Sequence, residues 1–431
     1  MISYRLRFLI IFSSIMASGC FCAAQDSSRT PVTMDDRPDT LLEHCIRWYS
    51  EGSYQKVIDS LSPVSDSVSA PRNYYIGLSF LAVNNYENAI VHLKRSVRID
   101  STNTSRRFQL ARALYQYGAL KESRDEYETI VCLDPEYFPA AFQLGLLLYE
   151  QRLLDEAAGI FRQTIALNPR DFLSYYYLGM CYLAREKNDS ARAHLSACVT
   201  LNPNHIAALT ALASLYYTEG NYSEALRLYQ NGLVVRPDLP DLHFKSALCY
   251  QHLNNHQEAI VSFHKAIRQD SLNGVLWGQL GFSCFKTQDL DQAVTAYRTA
   301  LEIDKDNPLY YYNLALALEK MDSTEQSAAM FHRTIAAYHP ENIANTYIQL
   351  GTLYFFKKQL RNALTAYRHA LDYQPGNKFA QYYMALTYDQ LKDPVNAARQ
   401  YQKFLSLAHD DSAQMENTQQ ARHRLQILKR K

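Results

Sequence analysis

Small and bulky apolar side chains recur along most of the chain at a step of 34 residues. Alanine returns at this step, and four residues after each alanine comes an aromatic or leucine side chain, in the pairs Ala157/Phe161, Ala191/Leu195, Ala225/Tyr229, Ala259/Phe263 and Ala293/Tyr297. Around these residues, apolar positions are spaced by three or four, the period of an amphipathic helix. Proline recurs at the same step from Pro135 to Pro237 and would stop a helix. The pattern predicts repeated helix pairs, and no strand pattern interrupts it.

One unit of this length cannot bury its apolar face alone, so neighbouring units should stack around a shared core. The predicted units begin at regularly spaced residues, Ala70, Thr104, Phe138, Phe172, Ile206, Pro240, Gly274 and Pro308. Two inserted residues near 338–342 shift the next two starts to Ala344 and Lys378. A degenerate first unit is predicted over 41–69, the main solenoid over 70–411, and an amphipathic capping helix over 412–431.

The repeated residues resemble the tetratricopeptide motif. The unit beginning at Gly274 carries most of it, with Trp277, Leu280, Gly281, Ala293, Tyr297 and Ala300 at repeat positions 4, 7, 8, 20, 24 and 27. It departs from the motif at Cys284, where an aromatic is usual, and at Lys305, where proline is usual. The resemblance implies an all-α fold, a right-handed superhelical α-solenoid of about ten to eleven helix pairs. It further implies that positions 2, 5, 6, 9, 12 and 13 of each first helix face a concave groove.

The groove positions are rich in aromatic rings and side-chain amides, which predicts a surface for a protein or an extended peptide. The aromatic residues at position 5 are Tyr74, Phe108, Phe142, Tyr176, Phe244, Tyr312 and Tyr382. Those at position 12 are Tyr115, Tyr149, Tyr217, Phe285 and Phe355. The amides at position 6 are Gln109, Gln143, Gln279, Asn313 and Gln349. Alternatively, the rings only pack against neighbouring helices and the amides are only solvated.

The N-terminus is predicted to be a targeting segment. Basic residues precede the short apolar run 8–16, so residues 1–24 read as a signal peptide. Small residues before Cys20 resemble a bacterial lipoprotein signal with Cys20 as the lipidated residue, and ordinary cleavage after Ala24 is the alternative. Residues 25–40 read as a flexible tether. The expected location is the bacterial envelope, either as an outer-membrane lipoprotein facing the periplasm or as a soluble periplasmic protein.

Charge and composition argue against catalysis and against nucleic acid as a partner. Lys and Arg number 44 against 43 Asp and Glu, with no clustered basic excess in the repeats. The repeat cysteines fall mostly on packing positions, and His252 and His256 flank a turn rather than sharing a helix face. No phosphate loop or nucleophile elbow is present. We therefore expect no enzyme activity, cofactor or metal.

The sequence is compatible with three functions. The leading one is a protein-interaction scaffold that binds a protein or peptide segment in the groove. A glycan- or peptidoglycan-binding module is an alternative, because aromatic faces also stack on sugars. A non-catalytic regulatory subunit of an envelope complex is another. The oligomeric state does not follow from the sequence.

Overall fold

The computed structural model describes residues 40–61, 69–337, 340–408 and 415–428. The predicted signal peptide, its Cys20 and the tether up to residue 39 lie outside the described residues. Within the described ranges every regular element is an α-helix, and there are 23 of them. The predicted all-α repeat fold is confirmed.

The chain divides into two compact units, 1–119 and 120–431. The first contains five described helices: α1 Thr40–Ser50, α2 Tyr54–Leu61, α3 Ala70–Ala82, α4 Tyr86–Ile99 and α5 Thr104–Tyr117. α1 and α2 form the degenerate first pair, in which Cys45, Val57 and Leu61 are buried together with Ile76 of α3. α1 begins at Thr40, inside the range predicted as tether.

The second unit contains the other described helices, each packed on its neighbours in chain order. They are α6 Leu120–Leu133, α7 Phe138–Glu150, α8 Leu154–Leu167, α9 Phe172–Leu183, α10 Asn188–Leu201, α11 Ile206–Thr218, α12 Tyr222–Val235, α13 Pro240–His252, α14 His256–Ile267, α15 Gly274–Lys286, α16 Leu290–Ile303, α17 Pro308–Lys320, α18 Thr324–Ala337, α19 Pro340–Phe356, α20 Leu360–Tyr373, α21 Lys378–Gln390, α22 Pro394–Leu407 and α23 Met415–Leu428. α23 has no partner helix of its own among the described elements and packs on α22.

The first helix of nearly every pair begins at the residue that the repeat pattern predicts. Several of these starts are set locally, because an Asn or Asp side chain just before the helix accepts a hydrogen bond from a backbone N–H of its first turn, as Asn103, Asp171 and Asn377 do. α19 is the exception. It begins at Pro340 rather than Ala344, because the two inserted residues extend this helix by a turn at its N-terminus.

Small residues at repeat position 8 allow the two helices of a pair to approach closely. A Cβ atom placed on Gly281 would lie 2.8 Å from Cε1 of Tyr297, whose ring is almost fully buried. A Cβ atom placed on Gly145 would likewise lie 2.8 Å from Cε1 of Phe161. Glycine here and a bulky ring at position 24 are therefore complementary parts of one contact.

The turn inside each pair contains a residue with a left-handed backbone. This residue is glycine in three turns, at Gly52, Gly118 and Gly220, and in the others it is a non-glycine residue with φ near +60°, for example Arg152, Glu186 and Lys358. The Gly118 turn closes with hydrogen bonds from the amides of residues 118 and 119 to the carbonyl of Leu114. In the sequence, only these few glycines indicate that the turn residue has a left-handed backbone.

The N-terminus of α11 is capped by a histidine, which makes a pH effect predictable. The Nδ1 atom of His205 accepts a hydrogen bond of 3.2 Å from the N–H of Ala208, so this nitrogen must be unprotonated. Burial lowers the pKa of His205 below its ordinary value of about 6.5. The unfolded chain therefore takes up the proton first as the pH falls. The stabilising contribution is complete above that ordinary pKa and is lost as the pH falls from there through the lower pKa of the folded state.

We expect His205→Asn to reduce the loss of stability between pH 7.5 and pH 5.5 by about 1 kcal/mol, because asparagine caps a helix without titrating. Urea denaturation of both proteins at the two pH values measures this difference. Burial also lowers the pKa of His92, His194 and His256. The free energy of unfolding should therefore still fall with decreasing pH in both proteins, by an amount that these three histidines contribute equally to each. Identical pH dependence in the two proteins would contradict the assignment of the cap.

Candidate functional site

The candidate surface is the face of the first helix in each pair that carries repeat positions 2, 5, 6, 9, 12 and 13, which we name the A face. In α13 these are Asp241, Phe244, Lys245, Leu248, Gln251 and His252. Helical spacing of three and four residues places them on one side.

Position 5 aromatics pack against the second helix of their own pair. The ring of Phe142 meets that of Phe161 at a centroid distance of 6.0 Å, and Tyr312 meets Phe331 at 5.9 Å. Phe244 and Phe263 repeat the arrangement at 6.2 Å. Each position 5 ring remains partly exposed in these three repeats. These rings therefore have a packing role and also present one edge to the surface.

Tyr176, at position 5, packs against two other rings. Its ring lies 4.9 Å from that of His205 and 5.0 Å from that of Tyr177. Burial raises the pKa of Tyr176 to about 12. The hydroxyl therefore stays neutral and can donate a hydrogen bond at any physiological pH.

Position 12 aromatics contact the following repeat. The ring of Tyr149 lies 5.7 Å from that of Tyr177, and the Tyr217 hydroxyl lies 2.9 Å from Nε2 of His252. The ammonium of Lys320 sits 4.7 Å from the centre of the Phe285 ring, a cation–π contact. All three position 12 rings are partly exposed. Each of these three rings therefore links the A face of its own repeat to the A face of the next repeat.

Two residues predicted for the groove are buried instead. Phe355 is 6% exposed because the Tyr383 ring of the next repeat covers it at a centroid distance of 5.5 Å. Tyr382 is 4% exposed, and its hydroxyl donates to Oε1 of Gln420 on α23 at 2.8 Å. α23 thus covers the A face of the last pair. For these two residues the packing alternative is correct.

The position 6 amides of the second unit are half-buried and available. The side chains of Gln143, Gln279, Asn313 and Gln349 are partly exposed. None of these four amide groups hydrogen-bonds to a residue that the structure describes, although the backbone carbonyl of Gln279 accepts from Gln251 at 3.1 Å. Each therefore retains donor and acceptor atoms for another molecule.

Four of the predicted groove residues, Tyr74, Phe108, Gln109 and Tyr115, lie in the first unit. Tyr74 packs against the cluster around Ala89 and Leu93, and its ring lies 5.5 Å from that of Tyr75. Oε1 of Gln109 accepts a 2.9 Å hydrogen bond from Arg112. Phe108 and Tyr115 are partly exposed. The amide of Gln109 is thus already engaged, unlike the amides of the second unit.

The groove residues predicted from repeat positions 5, 6 and 12 do not include several aromatic rings of the A face. Tyr177 and Tyr383 occupy position 6, where amides prevail elsewhere, and Tyr177 is in contact with both Phe142 and Tyr149. Phe356 at position 13 is 63% exposed. Counting all six positions in every repeat would have identified these rings.

Side chains able to perform chemistry are scattered over the described residues. The six cysteines in those ranges are free thiols, and all except Cys132 are buried. Burial raises the pKa of Cys181 and Cys198 to about 12, which leaves both as thiols. No group of three metal-binding side chains occurs among these residues. In the same ranges, every helix is too short or too polar to cross a bilayer.

The fold and the A face define a class: helical-repeat proteins built from stacked helix pairs. Family models described as TPR or tetratricopeptide repeat match residues 142–206, 182–248, 241–271, 281–322, 344–377 and 379–409. Together these ranges cover more than half of the chain. The chain belongs to the tetratricopeptide repeat family.

The chain is also similar to parts of larger curated proteins. It is 24% identical over 196 residues to the human protein O-mannosyl-transferase TMTC3, covering 45% of this chain and 21% of that protein. It is 26% identical over 109 residues to the small glutamine-rich tetratricopeptide repeat-containing protein 2 of Mycosarcoma maydis, covering 25% of this chain and 31% of that protein. The match spans less than a third of either relative.

Solved structures of similar fold include other tetratricopeptide proteins. The C-terminal part of a TPR repeat-containing protein from Cytophaga hutchinsonii has a TM-score of 0.48 at 18% identity, covering 56% of this chain and 97% of that chain. YrrB, described as a TPR protein with an unusual peptide-binding site, has a TM-score of 0.39 at 20% identity, covering 43% of this chain and 95% of that chain.

Proposed function

We propose that this protein is a non-catalytic interaction scaffold whose A face in the second unit binds an extended segment of a partner protein. Tetratricopeptide repeats commonly bind proteins or peptides. The observation that carries the proposal is the set of amides of Gln143, Gln279, Asn313 and Gln349, which are partly exposed and make no hydrogen bond within the described structure. An extended peptide backbone offers a donor and an acceptor at every residue and matches such a row.

The aromatic rings beside the amides supply the apolar part of the surface. Phe244, Phe285 and Tyr312 are partly exposed at positions 5 and 12. Rings held by packing lose little conformational entropy when a partner covers them. Because they are already oriented by Phe263, Lys320 and Phe331, they form a preorganised surface. Apolar side chains of the bound segment would lie between these rings.

The binding surface can be tested by removing two partly exposed A-face rings that lie at the margin of the core. We expect Tyr217→Ala combined with Phe285→Ala to reduce co-purification of the partner at least tenfold, because two anchoring rings are lost. The matched control replaces Val234 and Val261, which are 82% and 50% exposed on second helices, with alanine.

Circular dichroism establishes that both double variants are folded. Equal loss of the partner in the two variants would overturn the assignment of the A face. Recovery of peptidoglycan fragments, with no protein released by the A-face variant, would favour glycan binding.

We further propose that the protein is exported to the bacterial envelope and anchored through a lipidated Cys20. The support is the basic N-terminus, the short apolar run 8–16 and the small residues before Cys20. Intact mass analysis of the mature protein checks this. A lipid-modified N-terminus at Cys20 is expected, and an unmodified N-terminus at Gln25 would instead indicate a soluble periplasmic protein.

A further inference from the structure

A polar crevice of about 500 Å³ lies in the second unit, bordered by α12, α13 and α14. Six residues that line it matter here: Gln230, His243, Ser246, Tyr250, Lys265 and Arg268. His243, Ser246 and Tyr250 follow each other at intervals of three and four residues, on the side of α13 opposite to Asp241, Lys245 and Leu248. The crevice is therefore separate from the A face.

At the wall of the crevice, one repeat departs from the motif at two packing positions. Repeat positions 4 and 7 are Trp277 and Leu280 in the next repeat, where the indole N–H of Trp277 donates to the carbonyl of Ser271 at 2.9 Å. In the repeat beginning at Pro240 the same positions hold His243 and Ser246. Smaller and more polar side chains thus replace two that normally fill this space.

The wall of the crevice contains a buried polar group with no partner. Ser246 is 2% exposed, and its hydroxyl oxygen makes no hydrogen bond to any residue that the structure describes. An unsatisfied buried hydroxyl costs about 1–3 kcal/mol. His243 is 9% exposed, and its Nε2–H donates to the carbonyl of Pro237 at 2.8 Å, which fixes the ring with Nδ1 unengaged in the described structure.

The charge lining the crevice is positive. Lys265 and Arg268 both line it, and neither forms an ion pair with a described residue. Asp238 also lines it, and its exposed carboxylate forms a 3.1 Å ion pair with Nε of Arg236. Two cations beside hydrogen-bonding groups favour an oxyanion.

The corresponding place in the last repeat provides an internal comparison. A second crevice of about 510 Å³ is lined by Gln381, Met384, Gln400 and Lys403, with position 7 occupied by methionine. There the buried amide of Gln381 donates to the amide oxygen of Gln400, so the two groups satisfy each other. The two crevices are alike in size, but only the first contains an unpartnered buried hydroxyl among the groups just described.

We propose that the first crevice binds a small phosphorylated polyol, of the sugar phosphate class. Its volume falls within the range of small-molecule sites, roughly 300–1,000 Å³. Lys265 and Arg268 would contact the phosphate. Gln230 and Tyr250, whose side chains share a 2.8 Å hydrogen bond, would hydrogen-bond to hydroxyl groups of the ligand, and the buried Ser246 hydroxyl would join them after rotating toward the crevice. This site is independent of protein binding on the A face.

Isothermal titration calorimetry of the full chain with glucose 6-phosphate, inorganic phosphate and glucose tests the proposal. We expect glucose 6-phosphate to bind more tightly than inorganic phosphate, and glucose to show no measurable binding. Arg268→Ala should weaken glucose 6-phosphate binding at least tenfold. Ser246→Leu, which restores the motif residue, should abolish binding without lowering Tm. Lys403→Ala, the matched change in the second crevice, should have no effect.

Absence of glucose 6-phosphate binding to the unmodified chain would overturn the proposal. So would equal weakening by Arg268→Ala and Lys403→Ala, which would indicate only general electrostatic attraction. If Ser246→Leu does not fold, Lys265→Ala takes its place with the same tenfold expectation.

Discussion

Replacing Phe263 with alanine is expected to lower the free energy of unfolding by about 3–5 kcal/mol. The Phe263 side chain is fully buried at repeat position 24, within the cluster that contains Ala247, Leu280 and Cys284. Its removal leaves a cavity between α13, α14 and α15, and the adjacent Phe244 ring loses the surface it packs on. The close-packed seam between repeats has no other side chain able to fill that volume.

Urea denaturation followed by circular dichroism measures the effect of Phe263→Ala. The matched control is Val261→Ala on the same helix, because Val261 is 50% exposed and should change stability by less than about 0.5 kcal/mol. Similar unfolding midpoints for the two variants would show that position 24 is not a core position.

Removing the terminal helix is expected to release the last helix pair. α23 contributes Ala421 and Leu425 to the cluster that contains Tyr401 and Phe404, and these two α23 side chains are buried there. Nη2 of Arg424 also donates to Oδ1 of Asp389 on α21 at 2.8 Å. Without α23, the rings that it covers would be exposed to water, at a cost of about 1.5–3 kcal/mol for each ring.

Hydrogen exchange on a chain ending at residue 408 tests this role. We expect amides of α21 and α22 to lose at least tenfold in protection, while those of α7 to α10 keep theirs, because stability in a repeat stack depends on nearest neighbours. In the full chain, Leu425→Asp should reproduce the loss and Arg422→Ala, on the exposed side of α23, should not. Unchanged protection in α21 after truncation would show that α23 is not a cap.

Much of the fold was predictable because its determinants are local and repeated. The 34-residue recurrence of alanine and proline indicates where most helices begin and end. Pro340 shows the limit of this reasoning. A two-residue insertion can lengthen a loop or a helix, and the repeat pattern does not distinguish between them.

The candidate surface was less predictable, because exposure depends on what lies next to each repeat. Tyr382 occupies the same repeat position as Tyr312, yet it is buried because α23 follows the last pair. Phe355 is covered by Tyr383, a ring from the following repeat at a position usually held by an amide. The left-handed turn residue was similarly hard to predict, since Arg152 and Lys358 adopt a backbone conformation that only the glycines of three other turns, Gly52, Gly118 and Gly220, suggest.

Site-specific photocrosslinking in intact cells tests most directly whether the A face is the binding surface. A photoreactive phenylalanine analogue placed at Tyr217 or Phe285 should yield one discrete adduct with a partner protein. The same analogue at Val234, which is 82% exposed on a second helix, should yield none. Adducts of equal yield at Val234 and Tyr217, or at Val234 alone, would contradict the proposed function.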